Sequence, residues 1–371
     1  MSRFSDILPR GLALTEPSLL PVVDWQLVGN SAPTPVNVTY QGPQAKLPNA
    51  DFVVLTWTNA EWNALDHVFL RSSAGPQSPT SGLASRWLLY GRGASPSSPA
   101  NPLWGYYQLV DIKGSANASH RVLLFKSDAH LAHPPWINGL TEALQSIISD
   151  VQPSRVYSIG TAGGASLQQS LGDVAITNAA KIDLRDKPNL AAGYNGQTFS
   201  CTTWFPDTQS LLPQVQSKLF YALDQIASQA QLDQILNQAK RDPRDKSLVP
   251  YSIVDFLNEA LDPQNLKSPK AVAFKDTPLL TTDYYYIADG NTPYAALEMD
   301  DAVIARVAGQ QNVPFAFVRN ISDTLVPSID SHNRPIDPTA RNAWSSLLYD
   351  HFGLYTSFNG ALAAWATIAA S

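Results

Sequence analysis

Two neighbouring runs near the carboxyl side carry the clearest pattern of apolar and polar positions. In Ala296-Leu297-Glu298-Met299-Asp300-Asp301-Ala302-Val303-Ile304-Ala305, three acids are followed by apolar residues. Ala302, Val303, Ile304, Val307 and Ala308 fall at helical spacing, which predicts a helix whose amino end, favoured by the dipole for negative charge, holds the acids. Val313-Pro314-Phe315-Ala316-Phe317-Val318 is a continuous apolar stretch, the pattern of a strand buried on both faces of a largely parallel sheet. It ends in Arg319-Asn320-Ile321-Ser322-Asp323, and ligands of open α/β sheets bind at the carboxyl ends of strands.

The rest of the chain alternates in the same way. Asp51 to Trp57 reads as a buried strand and Thr58 to Leu70 as a helix, with Asn59 as its cap and Trp62, Leu65, Val68 and Phe69 as its apolar stripe. Tyr106 to Lys113 and Arg121 to Lys126 read as neighbouring strands. Pro134-Pro135 opens a helix striped by Ile137, Leu140, Leu144, Ile147, Ile148 and Val151. Arg155 to Ile159 and Leu171 to Thr177 are strands on either side of a glycine-rich turn. Residues 183 to 210 look irregular, and residues 211 to 240 and 252 to 261 look helical. A strand or two lie between Ala271 and Leu280, and residues 341 to 370 read as terminal helices with Trp344, Leu347, Leu348, Leu362 and Trp365 inward. Strands alternating with helices give an α/β layered fold. Residues 1 to 50, rich in proline, read as an extended arm or lid, and residues 71 to 102 as a long loop.

Composition narrows the function classes. The 371 residues carry a formal charge of -6 and no basic cluster, which argues against a nucleic-acid surface. One cysteine, Cys201, excludes an internal disulfide framework and fits a reducing compartment. The first residues lack the apolar core of a signal peptide, and no stretch has the length of a membrane span, so the expected location is the cytoplasm. With 15% charged residues and 9 tryptophans, the chain suits either a subunit interface or a loop-rich monomer.

Candidate chemistry sits at strand ends. Gly160-Thr161-Ala162-Gly163-Gly164 follows a buried strand, where glycines let backbone N–H groups approach a ligand oxygen; taken alone it reads more simply as a tight turn. It lacks the Gly-Lys-Ser/Thr of a nucleotide phosphate loop and the dinucleotide fingerprint. Glu61 falls in a first helical turn. Arg319 ends an apolar strand and needs a partner, either a carboxylate or a bound oxyanion. His130 and His133 have no third ligand at metal spacing, so neither a metal nor a cofactor is expected.

Taken in order, Thr56 to Leu65 (TWTNAEWNAL), Ser158 to Asp183 (SIGTAGGASLQQSLGDVAITNAAKID), Leu279 to Ile287 (LLTTDYYYI) and Ala296 to Asp323 (ALEMDDAVIARVAGQQNVPFAFVRNISD) resemble the purine nucleoside phosphorylase and nucleosidase superfamily. The likeness is greatest to its methylthioadenosine/S-adenosylhomocysteine nucleosidase branch. It implies a three-layer α/β/α fold around a mixed, twisted sheet, here residues 51–371 with an N-terminal extension (1–50) and a helical insertion at about 190–270. It also implies a homo-oligomer acting on a purine nucleoside or nucleotide, with adenine the expected base. By this resemblance Asp323 is the general acid toward purine N7 and Glu61 activates the attacking water. Arg319 and Thr161, with Ala162 and Gly163, hold that water or, in phosphorylases, phosphate. Glu298, Met299 and Asp300 face the sugar, and Tyr285 and Tyr286 stack on the base. Two departures stand out. Asp300 replaces the family's glutamate, shortening the side chain by about 1.5 Å. The phosphorylases' Gly-Asp-Pro-x-Arg loop is absent after the first strand, which favours water over phosphate. Phosphorolysis and turnover-free nucleoside binding are the alternatives.

Overall fold

The computed structural model describes residues 20–71, 87–91, 103–114, 118–131, 136–239, 268–284, 286, 290–325, 335 and 338–371. Tyr285, His133, the 252–261 helix and the side chains of Trp344 and Leu347 lie outside what is described. In chain order the strands are β1 (Thr34–Val36), β2 (Phe52–Thr56), β3 (Leu88–Gly91), β4 (Leu103–Lys113), β5 (Ser119–Ser127), β6 (Arg155–Gly163), β7 (Val174–Thr177), β8 (Ala179–Ile182), β9 (Thr198–Ser200), β10 (Ala271–Ala273), β11 (Leu279–Thr281), β12 (Leu297–Glu298) and β13 (Phe315–Asp323). The α-helices are α1 (Asn59–Asp66), α2 (Trp136–Val151), α3 (Leu212–Leu219), α4 (Leu223–Ile226), α5 (Gln229–Ala239), α6 (Asp301–Gln310) and α7 (Pro338–Ala369).

All these strands join one mixed sheet that branches at β6. The amino half of β6 lies parallel to β2, which continues to β5, β4 and the antiparallel edge strands β1 and β3. On its other side β6 runs parallel to β13, which pairs antiparallel with β7 and so reaches β10. Its last residue, Gly163, meets Leu297 of β12, and from there β11, β8 and β9 extend the sheet. Three lines of strands therefore meet on β6, and two of them, through β13 and β12, reach its carboxyl end at Gly163.

Both faces of the central strands are buried, as their unbroken apolar runs require. Val53 and Leu55 of β2, Leu123 and Phe125 of β5, and Phe315 and Phe317 of β13 pack with α2 and α6. Phe52, Val54, Val122, Leu124, Ala316 and Val318 point the other way, toward α1, α3 and α7. The result is an α/β/α sandwich on a mixed sheet. From Leu354 to Ala369, α7 is buried at every position, and the Trp365 ring meets that of Trp25 tilted by 48°, centroids 4.2 Å apart. No helix among the described residues is long and apolar enough to cross a membrane.

Several sequence expectations change in detail. The glycine run is no turn: β6 continues through Gly163, and backbone pairing to β13 holds it extended. Helix α1 is capped by Thr58, not Asn59, because Thr58 and Glu61 form a reciprocal capping box. Glu298 belongs to β12; the helix proper starts at Asp301, with Asp300 as its cap. Residues 183–210 contain β9, residues 211–239 break into three short helices, and residues 338–369 form one helix. The arm is built in from Leu20 onward: β1 joins the sheet edge and Leu20, Val23, Trp25 and Val28 enter the core.

Candidate active site

The spine of the site is the carboxyl end of β6. Ser158, Gly160, Thr161 and Gly163 each meet a different side chain delivered by a neighbouring element. A Cβ at Gly160 would collide with Arg319 Nη1 and lie 2.9 Å from Glu61 Oε1, so only glycine lets these two groups close over the strand. A Cβ at Gly164 would lie 2.8 Å from the backbone nitrogen of Leu325.

Glu61 reaches the strand from the first turn of α1. Its Oε2 accepts from Thr56 Oγ1 (3.0 Å), Trp57 N (3.0 Å) and Thr58 N (2.9 Å). Its Oε1 accepts from both the backbone nitrogen and the hydroxyl of Thr161, each at 2.7 Å. Burial pushes this carboxyl up, but the Arg319 charge and the hydrogen bonds from Thr161 and Thr58 outweigh it and hold it below its ordinary value. Glu61 is therefore a fixed anion.

Arg319 ends the apolar run of β13 and turns back over β6. Of the two partners open to it, the structure supplies a carboxylate: Nε donates to Asp301 Oδ2 (2.7 Å) and Nη2 to Asp301 Oδ1 (2.5 Å). Nη2 also meets Ser158 Oγ at 2.9 Å and Glu298 Oε2 at 3.5 Å, and Trp57 lies under the guanidinium at 5.3 Å. Burial opposes the charge, and Asp301, Glu298 and Glu61 more than restore it. Glu298 Oε2 takes the backbone nitrogens of Asp300 (2.5 Å) and Asp301 (2.9 Å), the orphan donors at the start of α6, while Thr281 bonds Oε1. Burial and the Asp301 charge, against the pull of Arg319, push Glu298 up to about 8.

Asp300 points away from this cluster. Its Oδ1 accepts from Leu131 N at 2.9 Å, and its Oδ2 lies 3.1 Å from His130 Nε2. Burial raises its carboxyl, with His130 and the Leu131 N–H pulling the other way. Met299, half-buried, lies between the two acids in sequence.

Asp323 closes the far side. A bulge between Ile321 and Asp323 brings it opposite Gly163, whose Cβ position would be 3.4 Å from Asp323 Oδ2. Oδ2 accepts from Ser345 of α7 at 2.7 Å and Oδ1 from Ser322 at 3.1 Å; the Ser322 hydroxyl also lies 3.4 Å from the carbonyl oxygen of Ala162. Beside it Ala165, Leu280, Leu297 and Leu325 form a small apolar cluster flanked by Tyr286 and Tyr294, whose rings meet edge-on at 6.5 Å. Among the described residues no group of three or more His, Cys, Asp or Glu side chains is arranged to hold a metal ion.

The structure thus gathers Glu61, Thr161, Arg319, Glu298 and Asp323 around one strand end, with Ala162 and Gly163 in the strand itself. Ser158 and Ser345 are additions that sequence reasoning passed over; His130 was weighed there only as a metal ligand, and Asp301 only as one of the acids at the helix start. Of these, only Asp301 carried a signal, as a second acid beside a lone arginine.

No curated protein matches the sequence. Among solved structures, the chain is similar to 5′-methylthioadenosine/S-adenosylhomocysteine nucleosidase of Neisseria meningitidis, in complex with methylthio-immucillin-A, at 14% identity and TM-score 0.42, covering 86% of this chain and 98% of that one. It is similar to S-adenosylhomocysteine nucleosidase of Streptococcus pyogenes, in complex with 5-methylthiotubericidin, at 12% and 0.43, covering 87% and 98%. It is also similar to futalosine hydrolase of Helicobacter pylori at 12% and 0.42, covering 85% and 96%. The family model of the phosphorylase superfamily matches residues 141–344, more than half of the sequence, and the chain belongs to that superfamily.

Proposed function

We propose that this chain is an N-glycosidase that hydrolyses the bond between ribose and a purine, with adenine as the favoured base by resemblance. The observation that carries the reading is the bracketing of β6 by two carboxylates: Glu61 is held by Thr161, and Asp323 stands over Gly163. These strand positions are two residues apart, roughly 6–7 Å. The two carboxylates reach that strand end from different elements, Glu61 from α1 on a nucleophile side and Asp323 from β13 on a leaving-group side.

In this reading the base slides against Tyr286 and the Leu280–Leu297–Leu325 cluster, where an aromatic ring stacks favourably. Tyr285, next to Tyr286 in sequence, would take part in the same stacking. The glycosidic electron pair leaves to the purine, and Asp323 gives its proton to purine N7, with Ser345 and Ser322 orienting the carboxyl. Positive charge develops on the sugar carbon. Glu61, a firmly ionised carboxylate, faces that charge and orients water, while Arg319 balances it. Glu298, Met299 and Asp300 occupy the sugar side, with His130 bonded to Asp300 in place of the missing methylene.

A second reading has its own observation. Glu61 already accepts five hydrogen bonds, which favours a chain that binds nucleosides without turning them over. A chromatographic screen of purine nucleosides and nucleotides, with and without phosphate, separates the readings. Free base and free pentose without phosphate are the expected result. Binding with no base released over hours supports the second reading, and strict dependence on phosphate overturns hydrolysis.

A further inference from the structure

The chelating edge of Arg319 is already engaged inside the protein. A planar guanidinium grips an oxyanion through two parallel N–H bonds from one edge. Here that edge, Nε and Nη2, holds both oxygens of Asp301, and Ser158 fastens the pair from β6 at 2.6 Å to Asp301 Oδ1. Asp301 is 0% and Arg319 3% exposed. Nη1, the remaining nitrogen, faces Gly160 beside Glu61. An external phosphate would have to displace a buried carboxylate and then rest beside Glu61 and Glu298.

We propose that Asp301 selects the acceptor: it is an internal anion that fills the oxyanion place on Arg319, so that water, and not inorganic phosphate, meets the sugar carbon. This rests on the glycosidase reading. With water, its oxygen bonds to the sugar carbon as the glycosidic pair leaves to the base; the base takes the proton of Asp323, water passes one to Glu61, and a free pentose results. With phosphate as acceptor, a phosphate oxygen forms that bond, and the products are the protonated base and a pentose 1-phosphate. Asp301 acts through Arg319 and is a positioning residue.

The test titrates wild type, Asp301→Asn and Asp301→Ser with sodium phosphate against sodium chloride at equal ionic strength. Heat of binding and melting temperature are followed, and the sugar product is identified when a nucleoside is present. Wild type is expected to be indifferent to phosphate. At least one Asp301 variant is expected to bind it tenfold or more tightly, to lose that binding when Arg319→Gln is added, and to divert product toward pentose 1-phosphate. A merely structural role for Asp301 would not shift that partition. Saturable phosphate binding by wild type overturns the proposal, as does a folded variant that stays indifferent. If neither variant folds, Asp301→Glu decides, since it moves the charge without removing it: continued indifference supports the proposal and phosphate binding overturns it. Calorimetry needs no turnover, so the two readings fail separately. A wild type that releases no base, with a variant that binds phosphate, overturns only the glycosidase; base release with an indifferent variant overturns only the role of Asp301.

Discussion

The two halves of the site are built differently. The half we propose for the nucleophile consists of Glu61, Thr161, Arg319, Ser158, Asp301 and Glu298, all on or beside regular strands and helix starts. The leaving-group half has one acid at a bulge, a serine from α7 and half-buried tyrosines beside a four-residue apolar cluster. The first half is closed without a ligand, since each of its side chains already bonds another group of the protein. The second leaves ring faces for a purine to cover. Electrostatics are set in advance where water would attack, and apolar contact is left open where the base would bind.

Substitutions on each side sharpen that contrast. Asp323→Asn should lower base release by roughly 10²–10⁴-fold, the usual worth of a general acid, while the unfolding transition stays close to wild type. Near-normal turnover would remove the leaving-group role. Arg319→Leu should do the reverse and cost about 3–5 kcal/mol in denaturant unfolding, because it strands the Asp301 carboxylate in the core. An unfolding midpoint like wild type would mean that the nucleophile half is not the rigid one. Ser345→Ala removes one charge-assisted bond, worth about 1.5–3 kcal/mol, and should reduce turnover tenfold or more with little change in KM. An equal rise in KM would make Ser345 a binding group instead.

The smallest effect is a pH dependence. Folding raises Glu298 from an ordinary carboxyl to about 8, so the folded chain holds a proton that the unfolded chain has released. Its contribution to stability is full below about 4.5 and is lost as pH rises through about 8. Glu298→Gln should flatten that decline, measured as melting temperature across this range. An unchanged slope would place the proton elsewhere.

Much of the framework was legible because it follows from local rules. The runs in β2 and β13 announce strands buried on both faces, and Arg319 and Asp323 stand out because charge interrupts apolar sequence at a strand end. What stayed hidden depends on pairing. Asp301 meets Arg319 only because β13 lies parallel to β6 and α6 starts beside Ser158. Ser345 reaches Asp323 across a helix packing that periodicity does not fix. The glycines of β6 suggested a turn because sequence shows the freedom of glycine but not the arginine and glutamate that use its missing side chain.

The contact of Trp25 with Trp365 sets an order of assembly during synthesis. The segment Leu20–Val28 is made well before the two helices it packs with in the core, α3 and then α7. Pairings this distant in sequence slow folding. Until they close, the sheet has one open face and the arm carries bare tryptophan and valine, a form suited to capture by chaperones. Until α7 has emerged, Trp25 lacks the Trp365 ring that meets it in the folded core.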